Sequence, residues 1–174
     1  MNEKVINVLK DVGGYVLIIL AVIVIRVFIF DPVRVDGPSM DTTLQDGEVL
    51  ILNKVKYRKH DIERYDVVVV NDGDKKIIKR VIGLPNETIE IKNNKVYANE
   101  VELDNSFAST ETNDFNLTDI GLKKIPADSY FVLGDNRRIS HDSRYADIGT
   151  IKKNQIVGKA TIVVWPIKKI GIVK

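Results

Sequence analysis

The chain has no cysteine, which removes a cysteine nucleophile, thiolate zinc sites and disulfides together. It has two histidines, His60 and His141, too few for a histidine-cluster metal site, and neither metal nor cofactor is expected. Its net charge is only +2, and no segment is rich in both basic and aromatic residues, so no nucleic-acid partner is expected. The sequence shows no internal repeat and no low-complexity tract. The 174 residues suffice for one domain and a short appendage.

One segment departs from this ordinary background. From Val12 to Phe30 the chain reads VGGYVLIILAVIVIRVFIF, close to the roughly 20 residues that cross a bilayer. Its single charge, Arg26, lies near the C-terminal end, where a long side chain reaches the headgroups. A cleavable secretory signal would be shorter in its apolar part and followed by a small-x-small site. A buried soluble helix would show a polar face. The expectation is an N-terminal transmembrane helix and a lipid bilayer as partner. Lys4, Lys10 and the terminal amine outnumber the positive charges beyond the span by a small margin. That bias places residues 1–11 in the cytoplasm, residues 12–30 in the membrane and residues 31–174 outside.

Pro32 lacks an amide donor and turns Asp31 away from helix, so the span should end there. The rest reads as β. Val- and Ile-rich runs recur at Val49–Leu52, Asp66–Val70, Lys76–Ile82, Thr88–Lys92, Lys95–Ala98, Tyr130–Leu133 and Thr161–Trp165. Asn71-Asp72-Gly73-Asp74 and Asn93-Asn94 are turn sequences, because Gly and Asn tolerate positive φ. Asp72 and Asp74 lack the remaining ligands of a calcium loop. Asn105–Asp119 is polar and without period, so it reads as a long surface loop in an insertion around residues 87–125.

Three segments carry chemistry. In Val35-Asp36-Gly37-Pro38-Ser39-Met40, Gly and Pro set a sharp path that can expose Ser39 and its amide. Taken alone, this is an ordinary turn serine. In Lys76–Pro85 a strand would place Ile77, Lys79 and Val81 on one face and Ile78, Arg80 and Ile82 on the other. Each charge then sits among β-branched neighbours. Desolvation lowers a lysine pKa, and a fall of about three units from about 10.4 costs about 4 kcal/mol. Such a lysine can act as a base; an exposed edge lysine is the plainer alternative. In Gly134–Arg144 hydrogen-bonding groups are dense, and Asp and Arg can hold each other rigid.

Together these segments resemble the bacterial type I signal peptidases. Ser39-Met40 with Thr43-Leu44 is similar to the nucleophile box of that family, and Lys79-Arg80-Val81-Ile82-Gly83-Leu84-Pro85 to its lysine box. Gly134-Asp135-Asn136-Arg137 with Ser140, Asp142, Ser143 and Arg144 is similar to its C-terminal box. The order matches, and the likeness runs from the anchor to Trp165-Pro166. The resemblance implies a mainly β fold, a coiled and partly closed antiparallel assembly carrying one N-terminal helix. It implies Ser39 as nucleophile with its amide as an oxyanion donor, Lys79 as general base, and Ser140 bonded to the lysine amine. It further implies Asp142 and Arg144 as an ion pair behind the site, Asp135 as a nearby partner, and Met40 as a wall of the substrate pocket. The expected substrates are secretory preproteins, cut at the signal peptide at the outer membrane face.

Three positions depart from the family pattern. Thr42 stands where relatives often have Pro, and Asn86 where Gly is usual. Gly37 stands where many relatives have a Ser that assists the oxyanion, so a second donor is left unassigned. His141 beside Asp142 reads as a loop residue, since Lys79 occupies the position of the base. Other readings are a catalytically silent relative that binds exported chains, a conjugation-type processing peptidase, and a self-cleaving repressor, against which the apolar span argues.

Overall fold

A computed structural model describes residues 3–28, 30–73 and 75–173, with α1 side chains described from residue 10 to residue 23. Helix α1 (Glu3–Phe28) leads into β1 (Phe30–Arg34) and β2 (Val49–Asn53), followed by the short helix α2 (Lys56–Lys59). Next come β3 (Val67–Asp72), β4 (Lys75–Gly83), β5 (Ile89–Lys92), β6 (Lys95–Ala98), β7 (Val101–Glu102) and β8 (Phe115–Asn116). The chain finishes with β9 (Ser129–Leu133), β10 (Ile151–Lys152), β11 (Ile156–Trp165) and β12 (Gly171–Ile172).

The strands form two sheets in which all pairs are antiparallel. The larger runs β1-β2-β11-β3-β4-β9-β10, with β12 added to β11, and the smaller runs β7-β6-β5-β8. The smaller sheet lies between β4 and β9 in the sequence, inside the segment read as an insertion. The expectation of a mainly β, antiparallel domain is met.

β3 shows why the larger sheet forms. Val67 and Val69 join one apolar cluster with Leu50, Leu52 and Ile78, while Val68 and Val70 join another with Val81 and Val132. A strand covered on both faces reads as a continuous apolar run, which is what four successive valines supply. Gly158 explains a missed strand start. Ile156–Ala160 continues β11 upstream of the expected Thr161, and a Cβ on Gly158 would come within 2.5 Å of the Asn53 carbonyl. Only glycine allows β11 to pass β2 so closely.

Pro32 lies within β1, which pairs only with β2 among the described residues, an edge position where a missing amide costs no ladder bond. The Asn93-Asn94 turn closes the β5–β6 hairpin with φ of 50° and 64°. Gly73, at φ 60°, belongs to the β3–β4 turn; Asp74 lies outside the described residues.

The reading of Asn105–Asp119 as a long surface loop needs correction. Phe115, 8% exposed, pairs through β8 with β5, and a 3-10 turn at Leu117–Ile120 follows, with Leu117 1% exposed. Two apolar anchors suffice to seat an otherwise polar segment on the smaller sheet.

On α1 the side chains from Val12 to Ile23 leave large apolar surfaces uncovered, with Leu17 at 70% and Ile18 at 59% exposure. Among the described residues no helix is long and apolar enough to cross a membrane. The part of the expected span from residue 24 to residue 30 lies outside the described side chains.

Candidate active site

Ser39 sits in a tight turn after β1. Gly37 takes φ 83°, and its amide donates to Asp46 Oδ1 at 2.9 Å. The Asp41 amide returns to the Pro38 carbonyl at 3.2 Å, and the Leu44 amide to the Met40 carbonyl at 2.8 Å. Met40 and Leu44, 1% and 0% exposed, peg the turn into the core of the larger sheet. Ser39 itself stays half-buried at the surface of that peg.

Lys79 comes from β4, opposite Val68 in the sheet register. It is 3% exposed, and its Nζ lies 2.8 Å from Ser39 Oγ. Burial pushes the Lys79 pKa down to about 8; Asp142 and Asp135 pull it up, and Arg144 adds to the fall. Hydrophobic neighbours on β4 and β3 thus create the desolvation that the alternating pattern predicts.

Arg80, the next residue, points the other way. It is fully buried and grips Asp135 through two bonds, Nε to Oδ1 at 2.9 Å and Nη2 to Oδ2 at 2.7 Å. Nη2 also donates to Thr43 Oγ1 at 3.2 Å, and that hydroxyl donates to Asp135 Oδ2 at 2.6 Å. One residue from each of the three segments therefore meets in a single buried network. Thr43 and Arg80 were not singled out for it; a charge set among β-branched residues beside Lys79 was the available signal.

The loop after β9 carries the remaining residues. The Asn136 amide donates to the Ser39 carbonyl at 3.0 Å. Asp142, 0% exposed, takes Arg144 Nε at 2.8 Å and the Gly134 amide at 3.0 Å. Gly134 is required where the chains cross: a Cβ there would lie 2.2 Å from Ser140 Oγ and 2.5 Å from the Ser39 carbonyl. Ser140 departs from expectation. Its Oγ is buried without a hydrogen-bond partner among the described residues, so the anticipated bond to the Lys79 amine is not made; the hydroxyl packs against Gly134 instead. His141 pairs with Asp147 at 2.7 Å and stacks on Tyr145 at 4.3 Å, with its side chain 54% exposed.

Ser39, Met40 and Lys79 open onto a cavity of about 580 Å³ whose walls include Val35 and Asp36 on one side and Ile77 and Ile78 on the other. Among the described residues β1 pairs only with β2, and β9 joins β4 only from Arg80 onward. Residues 75–79 therefore leave one strand edge open, and an extended peptide can add to such an edge. The described residues contain no group of three or more metal-ligating side chains.

Residues 8–165 match the family described as signal peptidase, peptidase S26. The chain belongs to that family. It is 38% identical to signal peptidase I P of Bacillus subtilis subsp. natto, across 97% of this chain and 95% of that protein. It is 35% identical to signal peptidase I of Streptococcus pneumoniae serotype 4, across 95% of this chain and 97% of that one. A crystal structure of a signal peptidase I from Enterococcus faecalis V583 aligns with TM-score 0.53 and 32% identity, covering 59% of this chain and 98% of that one. The signal peptidase match takes in Ser39, Lys79 and the Gly134–Arg144 loop, the parts that meet in the structure.

Proposed function

We propose that this chain is a membrane-anchored serine endopeptidase that removes signal peptides from exported preproteins, with Ser39 as nucleophile and Lys79 as general base. One observation carries the reading: a buried lysine amine with its pKa lowered to about 8 lies 2.8 Å from a serine hydroxyl beside an open strand edge. Membership of the signal peptidase family supports the substrate class. It does not favour the silent-relative, conjugation or repressor readings.

In this mechanism the preprotein adds as an extended strand between β1 and β4. The neutral Lys79 amine takes the proton of Ser39 as Oγ bonds to the scissile carbonyl carbon. The charge that develops on the carbonyl oxygen meets the Ser39 amide, which donates to no acceptor among the described residues. The Gly37 amide is already committed to Asp46, so it is not the second donor. Lys79 then passes its proton to the departing amine, the peptide C–N bond breaks, and an acyl-serine remains. Water, deprotonated by the same amine, releases the signal peptide and restores Ser39. Met40 helps wall the cavity that takes the side chain before the cut.

The uncovered apolar surface of α1 supports residues 12–30 as the anchor, since bilayer is the solvent that such a surface fits. The catalytic domain, residues 31–174, then stands outside the cytoplasmic membrane, with residues 1–11 inside. An anchored enzyme meets an anchored substrate in two dimensions, which raises their effective concentration.

The test is cleavage of one signal-bearing preprotein by wild type, Ser39→Ala and Lys79→Ala, with N-terminal sequencing of the product. Both variants should be inactive. Wild-type cleavage by Ser39→Ala ends the reading. Recovery of the wild-type protein in the soluble fraction without detergent would end the anchor assignment.

A further inference from the structure

The inserted segment reaches back to the catalytic turn. The Phe107 ring lies 4.0 Å from the Arg80 guanidinium and 5.2 Å from the Tyr65 ring. The Ser109 amide donates to the Asp135 carbonyl at 2.9 Å, and its hydroxyl donates to the Asp41 carbonyl at 2.6 Å and more weakly to the Asp135 carbonyl at 3.3 Å. Thr110 Oγ1 donates to Asn136 Oδ1 at 3.2 Å and accepts from the Arg138 amide at 3.0 Å. Thr112, 5% exposed, accepts from Arg137 Nη1 at 3.1 Å. Four residues of one short stretch thus touch all three catalytic segments.

Ser109 has a special place among them. Through its hydroxyl and its amide it ties Asp41, two residues after Ser39, to Asp135, next to the residue whose amide holds the Ser39 carbonyl. The hydroxyl tie spans 68 residues of sequence. Serine attack on a carbonyl needs its oxygen held in a narrow range of positions, and small displacements cost rate rather than binding. A turn pegged by Met40 and Leu44 on its inner side gains its outer restraint here.

We propose that residues 107–112 form a strap that positions the nucleophile turn, with Ser109 as a positioning residue acting through the Asp41 carbonyl. This rests on Ser39 being the nucleophile. The strap acts on the turn that presents the attacking oxygen and leaves the peptide-binding cavity unaltered. Ser109 does not line that cavity, and its side chain is exposed, so its replacement leaves no buried hole.

The experiment is steady-state cleavage of a signal-bearing preprotein by the full-length enzyme in detergent, for wild type, Ser109→Ala, Ser109→Thr and Ser39→Ala. Loss of one neutral hydrogen bond should lower kcat about five-fold in Ser109→Ala with KM unchanged. Ser109→Thr, which keeps the hydroxyl, should return kcat to within about two-fold of wild type, and every variant should still unfold in one cooperative transition. Wild-type kcat in Ser109→Ala, a change confined to KM, or failure of threonine to restore the rate overturns the strap. If Ser39→Ala is dead while Ser109→Ala is fully active, only the strap fails. If Ser39→Ala still cleaves, the nucleophile assignment fails and the strap with it.

Discussion

Lys79 and Arg80 are neighbours on β4, both buried, and they serve different partners on opposite faces of the strand. Lys79 meets the Ser39 hydroxyl, whereas Arg80 is neutralised by Asp135. The alternation of a strand separates a cation held by a carboxylate from an amine bonded to a hydroxyl and, among the described residues, to no carboxylate. The amine is driven toward neutrality by desolvation.

Replacing the amine should divide function from stability. With a pKa near 8, Lys79 is mostly charged at pH 7 while buried, which costs folding free energy. Lys79→Met should abolish cleavage and raise the thermal midpoint at pH 7. A clear fall in the midpoint would show that the amine stabilises the fold.

The pH dependence follows from the same shift. In the wild type kcat/KM should rise with pH through about 8 as the amine loses its proton. The folded pKa lies below that of the unfolded lysine, so above about 8 the unfolded chain binds more protons. Stability from this group should therefore grow from about pH 8 toward the unfolded value of 10.5. An activity profile flat between pH 7 and pH 9 would contradict the assignment.

Arg144 sets where that rise occurs. It lowers the Lys79 pKa and also pairs with Asp142, which raises it. Arg144→Ala removes the cation and unmasks the carboxylate, and both changes act in one direction. The inflection of kcat/KM should move to higher pH, and a move to lower pH would be the wrong sign.

Asp135→Ala tests the buried network. The variant leaves the fully buried Arg80 guanidinium without its carboxylate and removes an acceptor from Thr43. Breaking a buried ion pair from one side costs about 3–5 kcal/mol. Denaturant unfolding should show a loss of that size, and a loss below about 1 kcal/mol would place the pair among weak surface bridges.

His141→Ala should leave kcat within about two-fold of wild type, because the ring is exposed and bonded to Asp147. A loss of about a hundred-fold or more would instead make histidine the base.

Much of this was legible in one dimension. Apolar runs at Val49, Val67, Ile89 and Tyr130 give strands because an alternating run buries one face of a pleated surface and a continuous run buries both, a local property. Asn93-Asn94 closes a hairpin for an equally local reason, its tolerance of positive φ. The chemical types at Ser39, Lys79 and Gly134–Arg144 were on the page as well. β1 and β8 were not foreseen, since a proline in one and a polar stretch in the other hide strands whose pairing is decided by a distant partner.

The residue sequence by itself determined which groups can act: a serine in a Gly-Pro turn, a lysine among β-branched neighbours, a loop rich in Asp and Arg. Only the tertiary structure decided that the lysine faces the serine across 40 residues of chain, that Arg80 takes Asp135 across 55, and that the Ser140 hydroxyl finds no partner among the described residues. Such contacts depend on sheet register and on close approach at Gly134 and Gly158. Those are products of how strands far apart in sequence pack, and no local spacing encodes them.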